Sequence, residues 1–300
     1  MSAETVTPNF LRDWPLPEPG AGKYGRGQVL VVGGAARTPG AAMLSALAAL
    51  RVGAGRLTLA VGRSIANEVA VAVPESGVEP LDEDADGHVA VGAIEGIAAA
   101  AASADALLVG PGLDEPNGTR DLVAGLADVV GPQATVVLDA FALGVAADVR
   151  DRLEPLRGRL VMTPNSGEAE RLLGREVSDD DVADAMAIAQ RFGAVVALGD
   201  AIATPKGRSW IKGTGSGGLG TSGSGDVLSG AVTGLLARGA DPAQAVAWAS
   251  YVHAAAGDRL AVQVGPLGYL ASEARSRDPA GARRTRRLSS PVLSQGARDT

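Results

Sequence analysis

From Gly213 to Gly225 seven of thirteen residues are glycine, and Asp226 follows at once. Beyond it, Val227, Leu228, Ala231, Val232, Leu235 and Leu236 fall at helical spacing. A glycine-rich loop therefore opens onto a helix whose first turn carries a carboxylate. The first N–H groups of a helix lack partners and the helix dipole adds partial positive charge, so such a loop receives anions. Glycines let the backbone come close to a phosphate. A carboxylate repels phosphate, so Asp226 does not fit a pure cradle. It fits a base that takes a proton from a hydroxyl entering a phosphoryl transfer. A flexible linker would not lead straight into an amphipathic helix.

The elements that must hold this loop read as one α/β sheet. Apolar runs suited to strands lie at Gln28–Val32, Arg56–Val61, Ala106–Val109, Thr135–Leu138, Arg159–Met162 and Ala194–Leu198. Helical patterns fall between them, near 40–52, 117–130 and 166–173, and from Ser178 to a stop at Gly193. Ile202–Thr204 and Arg208–Ile211 suit a hairpin about Lys206-Gly207, and Asp241-Pro242 opens the last long helix. Strand–helix alternation predicts a single doubly wound, mostly parallel sheet with helices on both faces. In such sheets ligands bind at the carboxyl ends of strands. There the chain places Gly33-Gly34, Gly110–Gly112, Asp139, Thr163–Asn165 and Gly199-Asp200.

Composition narrows the class. With 300 residues, 46% of them hydrophobic and only nine aromatic, the chain can bury a large core built from Ala, Val and Leu. A net charge of −7 argues against nucleic acid as a partner. The absence of Cys rules out disulfides and thiolate metal sites, and two histidines, His88 and His253, do not make a His-rich metal centre. No dedicated metal cage is expected. No apolar run reaches membrane-spanning length and the amino terminus has no apolar signal core, so a cytoplasmic, soluble protein is expected. Pro8, Pro15, Pro17 and Pro19 mark residues 1–21 as a lead-in without regular structure. Residues 275–300 hold seven arginines against two aspartates, a net of +5, and read as a basic, disordered tail.

Residues 22–274 resemble the ADP- or ATP-dependent NAD(P)H-hydrate dehydratases, a branch of the ribokinase-like superfamily. The resemblance rests on Lys23-Tyr24-Gly25-Arg26, Pro39-Gly40-Ala41-Ala42, Leu50-Arg51-Val52-Gly53-Ala54-Gly55, Val109-Gly110-Pro111-Gly112-Leu113 and Thr163-Pro164-Asn165 with Glu168. It continues through Gly223-Ser224-Gly225-Asp226 and His253 with Ala256-Gly257-Asp258. Gly-x-Gly-Asp at a helix start is shared by ribokinase-like kinases, whereas the Pro-Gly-Ala-Ala and Leu-Arg-x-Gly-Ala-Gly segments point to the dehydratase branch.

The resemblance implies a repair reaction. A nucleotide phosphoryl group activates the C6 hydroxyl of NAD(P)H hydrate, and phosphate is then eliminated. It also implies Mg²⁺, ADP or ATP as donor, a homotetramer, and cooperation with a separate NAD(P)H-hydrate epimerase. By the same resemblance Asp226 is the catalytic base; Ala41, Gly112, Asn165 and Asp226 line the hydrate; and Leu198, Gly199, Asp200, Gly223, Ser224 and Gly225 line the nucleotide. The chain departs from the family's usual pattern at Asn165, where His is common, at Leu198, where Lys is common, at Phe141, where Asp is common, and at Ser216-Gly217, where Asn-Pro is common. A ribokinase-like small-molecule kinase and a non-catalytic nucleotide-binding protein share the loop with this reading.

Overall fold

The computed structural model describes residues 3–213, 215 and 217–276. Ten strands form one sheet: β1 (Glu4–Val6), β2 (Gln28–Val32), β3 (Arg56–Gly62), β4 (Ser76–Leu81), β5 (Ala106–Val109), β6 (Thr135–Leu138), β7 (Leu160–Met162), β8 (Ala194–Leu198), β9 (Ala201–Ala203) and β10 (Ser209–Lys212). Their order is β1-β10-β9-β8-β7-β6-β5-β2-β3-β4. Only β9 runs antiparallel to its neighbours; every other pair is parallel.

The central strands are apolar throughout because both of their faces are buried. Successive side chains point to opposite faces, so β2 sends Leu30 and Val32 into one core and Val29 and Val31 into the other. The first core is roofed by the helices Ile94–Ser103, Pro116–Val129, Ser166–Leu173 and Asp181–Phe192. The second is roofed by Pro39–Arg51, Ser224–Ala237 and Pro242–Gln263. From β2 the chain first winds outward to β3 and β4, then crosses back to β5 on the other side of β2 and continues to β8. The strand order thus reverses between β2 and β5, where a crevice opens at the carboxyl ends of an α/β sheet.

Two regions differ from the sequence expectation. The lead-in is part of the fold. β1 pairs with β10, Glu4 opposite Trp210, and Pro8 starts a helix, Pro8–Asp13, whose cap is the Thr7 hydroxyl 3.2 Å from the Phe10 N–H. Proline at the first helical position removes no intrahelical bond, so the prolines did not exclude structure here. Trp14 then stacks on the buried Trp210, and Trp248 Nε1 donates to the Trp14 carbonyl at 2.8 Å.

The second region lies between β3 and β5, where β4 and the Ile94–Ser103 helix had no clear sequence signal. β4 is an edge strand with Glu79 and Pro80 in it, as edges tolerate. The helix is nearly all apolar and lacks a polar face to reveal its period. The helix expected from Ser178 begins instead at Asp181, because Ser178 N–H is bonded to Asp184 and Asp180 caps the first turn. The basic tail lies outside the described residues apart from residues 275 and 276, which end the Ala271–Ser276 helix. Thr214 and Ser216 of the glycine loop also lie outside them.

Candidate active site

Gly223 precedes the Ser224–Ala237 helix in the left-handed conformation (φ 86°) and offers no side-chain cap, so the first N–H groups are not claimed by a neighbouring side chain. Gly225 in the first turn faces open space: a Cβ added there would meet nothing within 4 Å. An anion can approach the helix end from that side. Asp226 follows, half-buried, and burial raises its carboxyl above the ordinary range. A carboxylate that is partly stripped of water and free of a cation partner is a stronger base.

Asp226 is one of three carboxylates drawn from three elements. Asp139, at the end of β6, is 4% exposed and receives a hydrogen bond of 2.8 Å from the Thr163 hydroxyl at the end of β7. The Ser229 hydroxyl, one turn beyond Asp226, lies 3.2 Å from the Asp226 carbonyl oxygen and also bears on Asp139, where it opposes the effect of burial. Glu168 lies in the first turn of the Ser166–Leu173 helix. Burial pushes Asp139 up to about 7 and raises Glu168 as well, and the charge of Asp226 adds to both. The backbone beside this cluster is strained: among the described residues Ala140 is the one non-glycine with positive φ (49°).

A stability prediction follows from Asp139. Its folded pKa lies above its unfolded value, so the folded state holds the extra proton between them, and stability falls as pH rises from about 4 through about 7. A rise of that size corresponds to a loss on the order of 4 kcal/mol, an upper bound for a group that rearranges or hydrates on ionising. Asp139→Asn is expected to remove most of that slope, with a gain in melting temperature at about pH 8 that is absent at about pH 4. Thermal unfolding across that range checks it; parallel slopes for the two proteins would contradict it.

The remaining sequence-derived positions fall into two groups. Gly112 (φ 75°) ends the loop after β5, and its carbonyl accepts from Ala35 N at 2.7 Å and from the Thr38 hydroxyl at 2.8 Å. Any side chain at Gly112 would overlap the Thr38 carbonyl, so the β2 and β5 loops interlock only with glycine there. Ala41 sits in the next turn, on the Pro39–Arg51 helix that packs against the Asp226 helix. Asn165 is the exposed N-cap of the Ser166–Leu173 helix: its Oδ1 accepts from Glu168 N at 3.0 Å, and Glu168 returns a bond to Asn165 N at 2.9 Å. The capping box leaves the Asn165 amide NH₂ free of that duty to donate to a ligand. Ala41, Gly112 and Asn165 therefore belong to loops and helix starts that follow the carboxyl ends of β2, β5 and β7, and Asp226 to the start of the helix packed against the Pro39–Arg51 helix.

Leu198, Gly199 and Asp200 lie farther along, at the end of β8. Leu198 is 2% exposed and packs into the core, so its side chain cannot meet a ligand. Gly199 adjoins the Asp181 carboxylate, and Asp200 pairs with Lys212 Nζ at 3.4 Å. Lys212, last residue of β10, also bears electrostatically on His253, whose Nε2 lies 3.0 Å from Ser224 Oγ. This chain of contacts links the β8 end to the glycine loop. Burial lowers His253 to about 4, so its ring is neutral near pH 7. Ser224 is also buried and its N–H is bonded to the Thr221 carbonyl at 3.2 Å, so its side chain serves the packing. Sequence reasoning placed Thr163 at a ligand-binding strand end without giving it a role, and did not single out Lys212 or Ser229. A lysine closing a strand just before the glycine loop, and hydroxyls flanking Asp139 and Asp226, were the signals available.

The arrangement can bind a phosphorylated ligand at the helix start and remove a proton from a hydroxyl held beside Asp226. Comparison with known proteins agrees in kind. A family model described as NAD(P)H-hydrate dehydratase matches residues 29–279. The ADP-dependent (S)-NAD(P)H-hydrate dehydratase of Xanthomonas campestris is 43% identical over 276 residues, 90% of this chain and 92% of that protein. Bifunctional NAD(P)H-hydrate repair enzymes of several organisms also match, and the chain spans about half of their length. Among solved structures, a ribokinase-like superfamily protein from Enterococcus faecalis superposes with a TM-score of 0.81 at 21% identity, covering 94% of this chain and 96% of that one, which establishes the ribokinase-like fold. The ADP/ATP-dependent NAD(P)H-hydrate dehydratase of Bacillus subtilis, co-crystallised with ATP/Mg2+, superposes with a TM-score of 0.75 at 27% identity, covering 95% of this chain and 99% of that one. By its match over most of its length and by its fold, the chain belongs to the NAD(P)H-hydrate dehydratase family.

Proposed function

We propose that this protein returns the S-epimer of NAD(P)H hydrate to NAD(P)H at the expense of an adenine nucleotide, ADP being the donor named for the 43% identical relative. The observation that carries the reading is the pairing of an open, uncapped helix start at Gly223–Gly225 with a half-buried Asp226 in the same turn. Asp226 takes the proton of the C6 hydroxyl, whose oxygen attacks the terminal phosphorus and displaces AMP from ADP, or ADP from ATP. Hydroxide is a poor leaving group and phosphate a good one. The C6–O bond then breaks as phosphate departs, a proton leaves C5, and the C5=C6 double bond is restored. Backbone N–H groups at Gly225 and its neighbours face the charge that gathers on the phosphoryl oxygens.

Ala41, Gly112 and Asn165 are assigned to the hydrate side. The nucleotide side comprises the loop Gly223–Gly225 together with the backbone at Leu198 and Gly199, and Asp200. Mg²⁺ fits this site as a passenger on the nucleotide: Asp226 and Glu168 are oxygen donors of the kind it accepts, directly or through water, alongside phosphate oxygens. Among the described residues no group of three His, Cys, Asp or Glu side chains comes together to cage it. When bound, it would neutralise phosphate charge during transfer. A homotetramer, a cytoplasmic setting and a separate epimerase that supplies the S-epimer complete the reading; no helix among the described residues is long and apolar enough to cross a membrane.

The test is recovery of reduced-nicotinamide absorbance from NADPH hydrate with Mg²⁺ and either ADP or ATP. Recovery that requires one of the nucleotides is the expected result and names the donor. Phosphorylation of a small alcohol with no dehydration would point instead to a kinase. Nucleotide binding with no phosphate released would mark a non-catalytic binder.

A further inference from the structure

A nucleotide brings several negative charges to a sheet end that is already acidic. Asp139, Glu168 and Asp226 gather on one side of it. Asp181 and Asp200 lie on the other, beside Gly199. The side chain of Lys212 enters this setting. β10 runs parallel to β8 with the antiparallel β9 between them, and Ile211 is level with Ala201, which is level with Leu198. Lys212 therefore lies one residue past the row that ends β8, at the carboxyl end of the sheet and directly before Gly213. Its N–H donates to the Asp200 carbonyl at 2.8 Å, which fixes that end of the strand.

The pleat decides which way the amine goes. Trp210 is buried in the core roofed by the Ser224–Ala237 and Pro242–Gln263 helices. Two residues further along the strand, Lys212 leaves from the same face. One of those helices starts in the glycine loop, and His253 on the other lies with its Nε2 3.0 Å from the Ser224 Oγ in that first turn. The charge of Lys212 is felt at His253. Its side chain is only 22% exposed, yet its partner Asp200 is 75% exposed and 3.4 Å away. An ion pair that long, with one member in solvent, is weak, so a phosphate can compete for the lysine.

Taking Gly223–Gly225 as the phosphate site, we propose that Lys212 binds the phosphate chain of the adenine nucleotide, and that Asp200 keeps its amine beside the glycine loop until a phosphate displaces the carboxylate. The helix start and the lysine then divide the work. Backbone N–H groups supply directed donors with partial charge, and the ammonium supplies a full positive charge. The amine exchanges one anion for another, so it is paired before and after binding, and the Asp200 carboxylate is released to water.

Calorimetric titration of the full chain with ADP and with adenosine, in Mg²⁺ buffer at low and high salt, tests this. Lys212→Gln is expected to weaken ADP by about tenfold or more, the scale of a lost charge-assisted hydrogen bond, and to leave adenosine within about twofold. The ADP affinity of the parent is expected to fall with salt more steeply than that of the variant, because the ionic contact is screened. Removing the lysine also leaves Asp200 unmasked, so Lys212→Gln is combined with Asp200→Asn, and ADP is expected to stay weak in the pair. Recovery of parent affinity in that double variant would show that the lysine only neutralises Asp200, and would overturn the proposal. A Gln variant that binds ADP like the parent, or that loses ADP and adenosine alike, would overturn it too. The titrations need no turnover. A parent that binds ADP but restores no NADPH fails the dehydratase reading alone, and the variants still decide the part of Lys212; a parent that binds no ADP overturns both.

Discussion

Asp226→Asn is expected to bind adenine nucleotide as tightly as the parent protein, or more tightly, and to lose turnover by about 10²-fold or more. Both halves follow from the same geometry. The side chain sits in the first turn of the helix whose open N–H groups would receive phosphate, so its charge would oppose the ligand that the backbone attracts. Asparagine keeps the size of the side chain and removes the charge, which relieves the repulsion. It also removes the base, since an amide cannot accept the hydroxyl proton at neutral pH. The helix start itself is secured by Gly223 in its left-handed turn and by the Ser224–His253 contact, neither of which Asp226 supplies, so the fold is expected to survive. Titration with ADP and steady-state turnover of NADPH hydrate separate the two effects. Turnover near the parent value would remove Asp226 from the mechanism; loss of nucleotide binding together with turnover would show that it holds the loop rather than doing chemistry.

The second large effect concerns how Asp226 is held in place. Gly230 and Gly234, one turn apart, lie against the backbone of Ser45 and Ala49, also one turn apart, on the Pro39–Arg51 helix. A Cβ at Gly230 would overlap the Ser45 carbonyl, which is backbone and cannot swing aside. Gly230→Ala is therefore expected to cost about 3 kcal/mol of stability, although alanine is the better helix former, because one helix must be driven off the other. Turnover should fall in the same variant, since the first turns of these two helices carry Asp226 and Ala41 towards the same crevice. Gly225→Ala is the matching control. That Cβ enters open space, so stability should stay within about 0.5 kcal/mol of the parent while nucleotide binding weakens. Thermal melts of the two variants decide the matter: a Gly230→Ala protein that melts with the parent would show that the helix contact is looser than its glycines imply.

Much of the frame was legible in the chain. β2, β5, β6 and β8 and the Ser166–Leu173 helix occur where apolar runs and turn residues place them, because strands buried on both faces leave uninterrupted Val, Leu and Ile in the sequence. β1 and the Pro8–Asp13 helix were not legible. Three residues are too few to show alternation, and the stabilising partner of β1, Trp210 with its neighbours, lies two hundred residues away. The same limit applies to Leu198. Its position at a strand end made it a site residue by sequence, whereas the pleat turns its side chain into the core.

What the sequence determined by itself was the chemistry on offer: a glycine loop opening a helix, an aspartate in its first turn, and glycine or asparagine at several strand ends. Local spacing suffices for that, because a helix start and its first-turn carboxylate are neighbours in the chain. Only the tertiary structure decided that Asp139 faces Ser229 and Thr163, that Glu168 and Asp226 bear on it, and that Lys212 links Asp200 to His253. Those residues come from different strands and helices, and their ionisation depends on how much water the packed sheet excludes, which no local pattern of residues records.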